Sequence, residues 1–145
     1  MSITTAMCTS FKGELLGGTH DLDTHTLKLA LIKASPSGTY GAATTNYSDV
    51  TGNSDESSGT NYTAGGQTLD GATISTTGTT AIVDFTDEVF SNVTTSASGC
   101  IIYNSSASNK AICVIDFGGT VSATAGDLTI EFPAADASNA VIRIA

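Results

Sequence analysis

The sequence predicts an all-β protein. The expected form is an antiparallel β-sandwich of about eight strands, with one short N-terminal helix and a long irregular excursion at about 34–66. Three observations point there. Short apolar or alternating segments recur at roughly ten-residue spacing, separated by Gly-, Asn- and Ser-rich turns and by no long helical pattern. Roughly 40 of the 145 residues are Ser or Thr, with Thr the commoner, and β-branched Thr suits the solvent face of a strand. Finally, 15 Gly against 2 Pro is a strand-and-turn composition. The length fits a single domain spanning 1–145, large enough for a real core.

Each element has its own signal. Ser2–Thr5 reads as a short strand or arm. Ser10 is placed to cap a helix in which Phe11 and Leu15 share a face, and the pair Gly17-Gly18 ends it. Two turns are too short to stand without packing on a sheet. Thr26–Lys33 is the clearest early strand, with Leu27, Leu29 and Leu31 on one side. From Ala34 to about Gly66 the periodicity is lost, apart from a possible helical turn at Asn46–Val50, and the segment is longer than an ordinary connection.

Strand signals then return at Gln67–Leu69, Ala72–Thr77, Thr80–Phe85, Thr94–Tyr103, Ala111–Phe117, Asp127–Phe132 and Ala140–Ile144. Turns are expected at Thr77-Gly78, Asn104–Asn109 and Phe117-Gly118-Gly119. Cys100–Tyr103 and Ile112–Ile115 are apolar on both faces, which places them centrally in a sheet. Near the C-terminus, Leu128, Ile130 and Phe132 alternate with Thr129 and Glu131. Ile142 and Ile144 are expected to face inward and Arg143 outward.

Charge narrows the function classes. Charged residues are only 13% of the chain, and the net charge is −9. Five cations cannot build a phosphate-tracking stripe, so nucleic acid is not an expected partner, and neither is an anionic membrane. An acidic, hydroxyl-rich surface keeps crowded copies soluble. Cys8, Cys100 and Cys113 are odd in number at uninformative spacings and read as small buried hydrophobes. Met1-Ser-Ile-Thr-Thr has neither the basic nor the apolar region of a signal peptide, and no apolar run reaches membrane length. Synthesis in a host cytoplasm as a soluble protein is the expectation.

The search for chemistry yields weak candidates. His20, Asp21, Asp23 and His25 are the densest set of possible metal ligands, but their spacing matches no strong zinc pattern and reads as a polar loop. Asp84, Asp87 and Glu88, and Asp49, Asp55 and Glu56, lack the grammar of a calcium loop and read as solvated turn acids. No nucleophile elbow occurs, and the glycine-rich Gly59–Gly66 lacks the Lys of a phosphate loop and reads as a chain-reversing turn. The expectation is a protein that is not an enzyme, with no catalytic, cofactor-binding or metal-binding residues and no cofactor.

Several segments together carry a resemblance. Phe11-Lys-Gly-Glu-Leu-Leu-Gly-Gly-Thr-His-Asp21, Gly59-Thr-Asn-Tyr-Thr-Ala-Gly-Gly-Gln-Thr-Leu69, Ile101–Ser106, Val114–Gly119 and Phe132–Ala145 resemble small virion structural proteins of tailed bacteriophages, many of them marine. The resemblance spans nearly the whole chain and brings no catalytic residue with it. It implies a place in the virion, with a capsid decoration (cement) protein on the outer face of the head as the leading expectation. Its partners would be the major capsid protein, or other virion proteins, and copies of itself. The N-terminal arm through Phe11, or the 34–66 excursion, is expected to make those contacts. Alternatives are a receptor- or glycan-binding module on a head or tail fibre, using Tyr40, Tyr47 and Tyr62, and a tail-tube, stopper or connector subunit. A cell-wall hydrolase would need a carboxylate pair that the sequence does not reveal.

Overall fold

A computed structural model describes residues 2–145. The elements run β1 Ser2–Ile3, β2 Ala6–Met7, α1 Thr9–Leu16, β3 Leu27–Ile32, β4 Thr39–Tyr40, α2 Ser48–Gly52, β5 Gln67–Thr68, β6 Thr73–Thr77 and β7 Thr80–Asp84. They continue with β8 Glu88–Asn104, a 3-10 turn at Ser105–Ala107, β9 Lys110–Ile130 and β10 Ile142–Ile144. The protein is all-β with short helices, as expected. The described residues form ten strands rather than about eight, in a five-stranded sheet β2-β9-β8-β3-β5, a three-stranded sheet β10-β7-β6 and the pair β1-β4. Pairing is antiparallel throughout the two larger sheets, whereas β1 and β4 run parallel.

The spine is the hairpin of β8 and β9, 17 and 21 residues long. It pairs from Asn104↔Lys110 at the turn to Glu88↔Ile130 at the far end. This corrects the expected strands Thr94–Tyr103, Ala111–Phe117 and Asp127–Phe132: the first two are parts of longer strands, and the third is the end of β9, which stops at Ile130. Phe117-Gly118-Gly119 is not a turn between strands. Gly99 pairs with Asp116 and Ala97 with Val121, so residues 117–120 bulge opposite Ser98. Gly118, at φ +78°, supplies the left-handed step there.

The hairpin also supplies the core. Leu29, Leu31, Cys100, Ile101, Ile102, Ile112 and Val114 are all fully buried, and each large apolar side chain contributes on the order of 1.5–3 kcal/mol. Burial on both faces bears out their expected central position. Tyr103 and Asn104 are consecutive strand residues and point to opposite faces. Tyr103 stacks on Tyr47 of the excursion with centroids 4.4 Å apart, and Asn104 reaches His20 and His25. The excursion therefore covers one face of the sheet, and α1 with its following loop covers the other. Val83 and Ile142 of the three-stranded sheet belong to the same buried cluster as the central strands.

The helix starts at Thr9, two residues earlier than a Ser10 cap would place it. Cys8 holds the N-cap position in extended conformation with no side-chain capping bond. Phe11 is buried edge-on against His20, so it is core and not the exposed contact residue expected of an N-terminal arm. Gly17 closes the helix, and Gly18 follows at φ +81°. The closing strand needs a second correction. Ile142 is 1% exposed as expected, but Ile144 is 48% exposed. β10 pairs only with β7 at the margin of its sheet, so alternation gives Ile144 the right side without giving it a cover.

Candidate functional site

The long excursion is fastened by two adjacent acids. Lys33 N–H donates to the Asp55 carbonyl at 2.8 Å and Ser57 N–H to the Leu31 carbonyl at 2.9 Å, pinning residues 55–57 beside the end of β3. The Asp55 side chain is fully buried. Its carboxylate accepts from Ser37 N–H at 2.9 Å, Ser37 Oγ at 2.9 Å, Gly38 N–H at 2.8 Å and the Tyr40 hydroxyl at 2.6 Å, and pairs with Lys33 Nζ at 2.9 Å. Burial alone would raise its pKa. The bonds from Tyr40, Ser37, Gly38 and Lys33 outweigh that and hold it well below the usual carboxylate range. Burial, reinforced by Asp55, pushes the Tyr40 hydroxyl up to about 12.

Glu56 performs the matching task. It accepts from the Tyr47 hydroxyl, the Tyr62 hydroxyl at 2.9 Å and Gly65 N–H at 2.7 Å. Burial first and Glu56 second raise the Tyr47 pKa, and burial dominates the rise at Tyr62 as well. The Tyr62 oxygen also accepts from Leu31 N–H at 2.9 Å, and the Tyr103 hydroxyl donates to the Gly65 carbonyl at 2.6 Å. Tyr40, Tyr47 and Tyr62, expected as aromatic contacts for a glycan or receptor, are thus turned inward and tied.

The acids read as solvated turn groups are also reassigned. Asp49 accepts from Thr45 N–H at 2.8 Å ahead of α2, which forms at Ser48–Gly52 where a turn at Asn46–Val50 was expected. Asp87 accepts from Phe132 N–H at 2.9 Å. Glu88 is 8% exposed, and burial, then the nearby Asp70, raise its pKa. Further bonds from Ser57 to the Ser96 carbonyl, Thr95 to the Ser58 carbonyl and Asn61 to the Asn92 carbonyl hold the excursion along the free side of β8.

The His20–His25 loop is organised around Asn104, which is fully buried. Ser106 N–H donates to Asn104 Oδ1 at 3.0 Å, which directs the amide NH₂ toward both imidazoles. Asn104 Nδ2 lies 3.0 Å from His20 Nδ1 and 2.9 Å from His25 Nδ1. Asp21 N–H donates to His25 Nδ1 as well, at 3.3 Å. His20 Nε2 faces Glu14 at 3.1 Å, and Glu14 also pairs with Lys110 at 3.2 Å. Asp21 accepts from the backbone of Asp23 and Thr24. The imidazole nitrogens facing Asn104 are thereby occupied, and no three His, Cys, Asp or Glu side chains among the described residues group to hold a metal ion. Sequence spacing indicated neither Asn104, 79 residues beyond His25, nor Lys110.

The least committed surface lies elsewhere. A groove of about 580 Å³ runs beside β9, with Met7, Ile115, Phe117, Leu128, Ile130 and Phe132 among its apolar lining and Glu131 and Arg143 at its polar positions. The outer neighbour of β9 is β2, which pairs only at Val114 and Cys113. Beyond them Asp116 N–H is met by the Thr5 hydroxyl at 2.9 Å. From Phe117 to Ile130, β9 then has no strand on its outer side among the described residues. Val121, 37% exposed, lies on both features, the open edge and the groove.

No protein-family model, curated protein or solved structure matches the chain. Among the described residues no helix is long and apolar enough to cross a membrane.

Proposed function

We propose that the chain is a structural protein of a tailed-phage virion, acting as a capsid decoration (cement) protein that binds the outer surface of the major capsid lattice. One observation carries the reading. The groups best suited to chemistry are engaged in holding the fold: Asp55 and Glu56 fasten the excursion, and Asn104 engages both imidazoles. What faces outward is an acidic, hydroxyl-rich surface with an open strand edge beside an apolar groove. Such a surface suits a protein that works by contact area repeated over many copies. The resemblance of the Phe11–Asp21, Gly59–Leu69 and Phe132–Ala145 segments to virion structural proteins supports the same reading.

The test is the composition of purified particles carrying this protein. Quantitative mass spectrometry should find it at a copy number comparable to the major shell subunit, and antibody labelling should decorate the head exterior. A few copies per particle, labelling confined to the tail, or absence from particles would overturn the assignment.

A further inference from the structure

We infer that the outer edge of β9 and its groove form a docking site for an extended, cation-flanked β-strand from a different protein. Three features converge there. The first is the unpaired edge from Phe117 to Ile130, whose outward N–H and C=O groups are best satisfied by another strand. No Lys, Arg or Pro stands between Phe117 and Ile130 to blunt that edge. The second is the groove, whose apolar floor of Phe117, Leu128, Ile130 and Phe132 suits alternate side chains of an added strand.

The third is charge, and it selects the occupant. Glu131 lines the groove. Asp136 sits in the loop between lining residues Pro133 and Ser138. Against these two carboxylates stands Arg143, which donates to the Ala137 carbonyl at 3.0 Å. An extended segment with Lys or Arg at its ends complements that rim, and an acidic one is repelled. A second copy fits poorly. The chain carries a net charge of −9, and of the two edge strands of the three-stranded sheet, Thr73–Thr77 has no cation and Ile142–Ile144, which carries Arg143, is only three residues long. Lys28 lies in β3, already paired on both sides by β8 and β5, and Lys110 pairs with Asn104 beside the hairpin turn. The inference goes beyond the virion reading and stands or falls separately from it.

The probe is a synthetic peptide, Lys-Val-Thr-Val-Thr-Val-Thr-Val-Lys, N-methylated along one edge so that it cannot stack on itself, compared with its Glu-flanked counterpart. Titration into the full chain should show the Lys-flanked peptide binding about tenfold more tightly at low salt, the difference shrinking as salt screens it. Amide exchange should slow along residues 121–130 and nowhere on β6. Consecutive strand residues direct their N–H groups to opposite sides, so Ser122→Pro and Ala123→Pro separate the outer edge from the β8 ladder. The variant that keeps the wild-type melting temperature should bind about tenfold more weakly, the effect of one or two lost backbone hydrogen bonds. Glu131→Lys gives an independent reading and should erase the preference for the Lys-flanked peptide. The inference is overturned by no binding, by equal binding of the two peptides, or by protection that maps elsewhere. Sedimentation of the free chain as a dimer that the folded proline variant dissociates would give the edge to a second copy and overturn it equally.

Discussion

Replacing Asp55 tests the physical account of the excursion most directly. Asp55→Ala removes the acceptor of Ser37 N–H, Gly38 N–H and the buried Tyr40 hydroxyl, and leaves Lys33 without its carboxylate. Lys33 is 38% exposed on its side chain and is rehydrated cheaply. Of the three donors beneath it, the Tyr40 hydroxyl is buried and Gly38 half-buried, and each acceptor lost there costs about 1–3 kcal/mol, whereas the exposed Ser37 costs less. Allowing for partial water entry, the total is about 4 kcal/mol. For a chain of this size that lowers the melting temperature by about 8–16 °C. Asp55→Asn keeps the shape and one acceptor oxygen but loses the charge, and should cost about half as much.

The pH dependence has a fixed sign. Because the folded-state pKa is depressed, the carboxylate contributes stability above its unfolded value of about 3.9, and that contribution is lost as pH falls below it. Wild-type melting temperatures should therefore decline from about pH 4 downward. The Asn variant should decline less steeply over the same window. Calorimetry with denaturant titration provides the assay. If Asp55→Ala melts within about 2 °C of wild type, or if the two low-pH slopes coincide, the buried carboxylate does not hold the excursion.

Three further outcomes are expected. Glu88→Gln should raise the melting temperature at pH 7, because the raised folded pKa means that ionised Glu88 destabilises the fold above its unfolded value. The two proteins should converge near pH 4, where Glu88 is protonated, and equal stability at pH 7 would contradict this. Gly66→Ala should be strongly destabilising in thermal melts, since φ is +77° and a Cβ would stand 1.8 Å from the Leu29 carbonyl oxygen. Gly13→Ala, in open space within α1, should instead stabilise by about 0.5–1 kcal/mol. Iodoacetamide should leave Cys8, Cys100 and Cys113 unmodified in the native protein and alkylate all three in denaturant. All three thiols are buried, and burial raises each pKa, that of Cys8 to about 12; rapid native labelling of any one would contradict this.

The sequence was legible where one physical rule acted alone. β3, β6 and β7 lie within a residue or two of their expected bounds, because alternation and the Thr77-Gly78 turn determine them locally. β8 and β9 were truncated because Val121–Gly126 is small and mostly exposed, so no apolar period marks it, and because a Gly-Gly pair reads as a turn whether it ends a strand or bulges one. Asp55 and Glu56 read as surface acids because their partners lie far along the chain, Ser37 at 18 residues and Lys33 farther still, and no local pattern reports such a pairing. The same holds for Asn104 and the two imidazoles. The groove was illegible for a related reason, being assembled from β2, β9 and the loop before β10.

The long hairpin carries a consequence for how the chain finds its fold. At the turn its partners are six positions apart, Asn104 and Lys110, while at the far end Glu88 and Ile130 are 42 apart. The buried residues Cys100–Ile102 and Ala111–Val114 lie at the near end. The strongest apolar gain thus coincides with the smallest loop-closure cost, and zipping from Ser105–Ala107 outward is favoured at every early step. Beyond the bulge the ribbon buries Phe90, Val93, Leu128 and Ile130 only at a larger loop-closure cost, and its small, mostly exposed stretch at 121–126 should lock late. Pulse-labelled hydrogen exchange during refolding should protect residues 100–104 and 111–114 well before 121–130. The segment left longest without a partner in folding is then the same one that, among the described residues, has no strand on its outer side in the finished molecule.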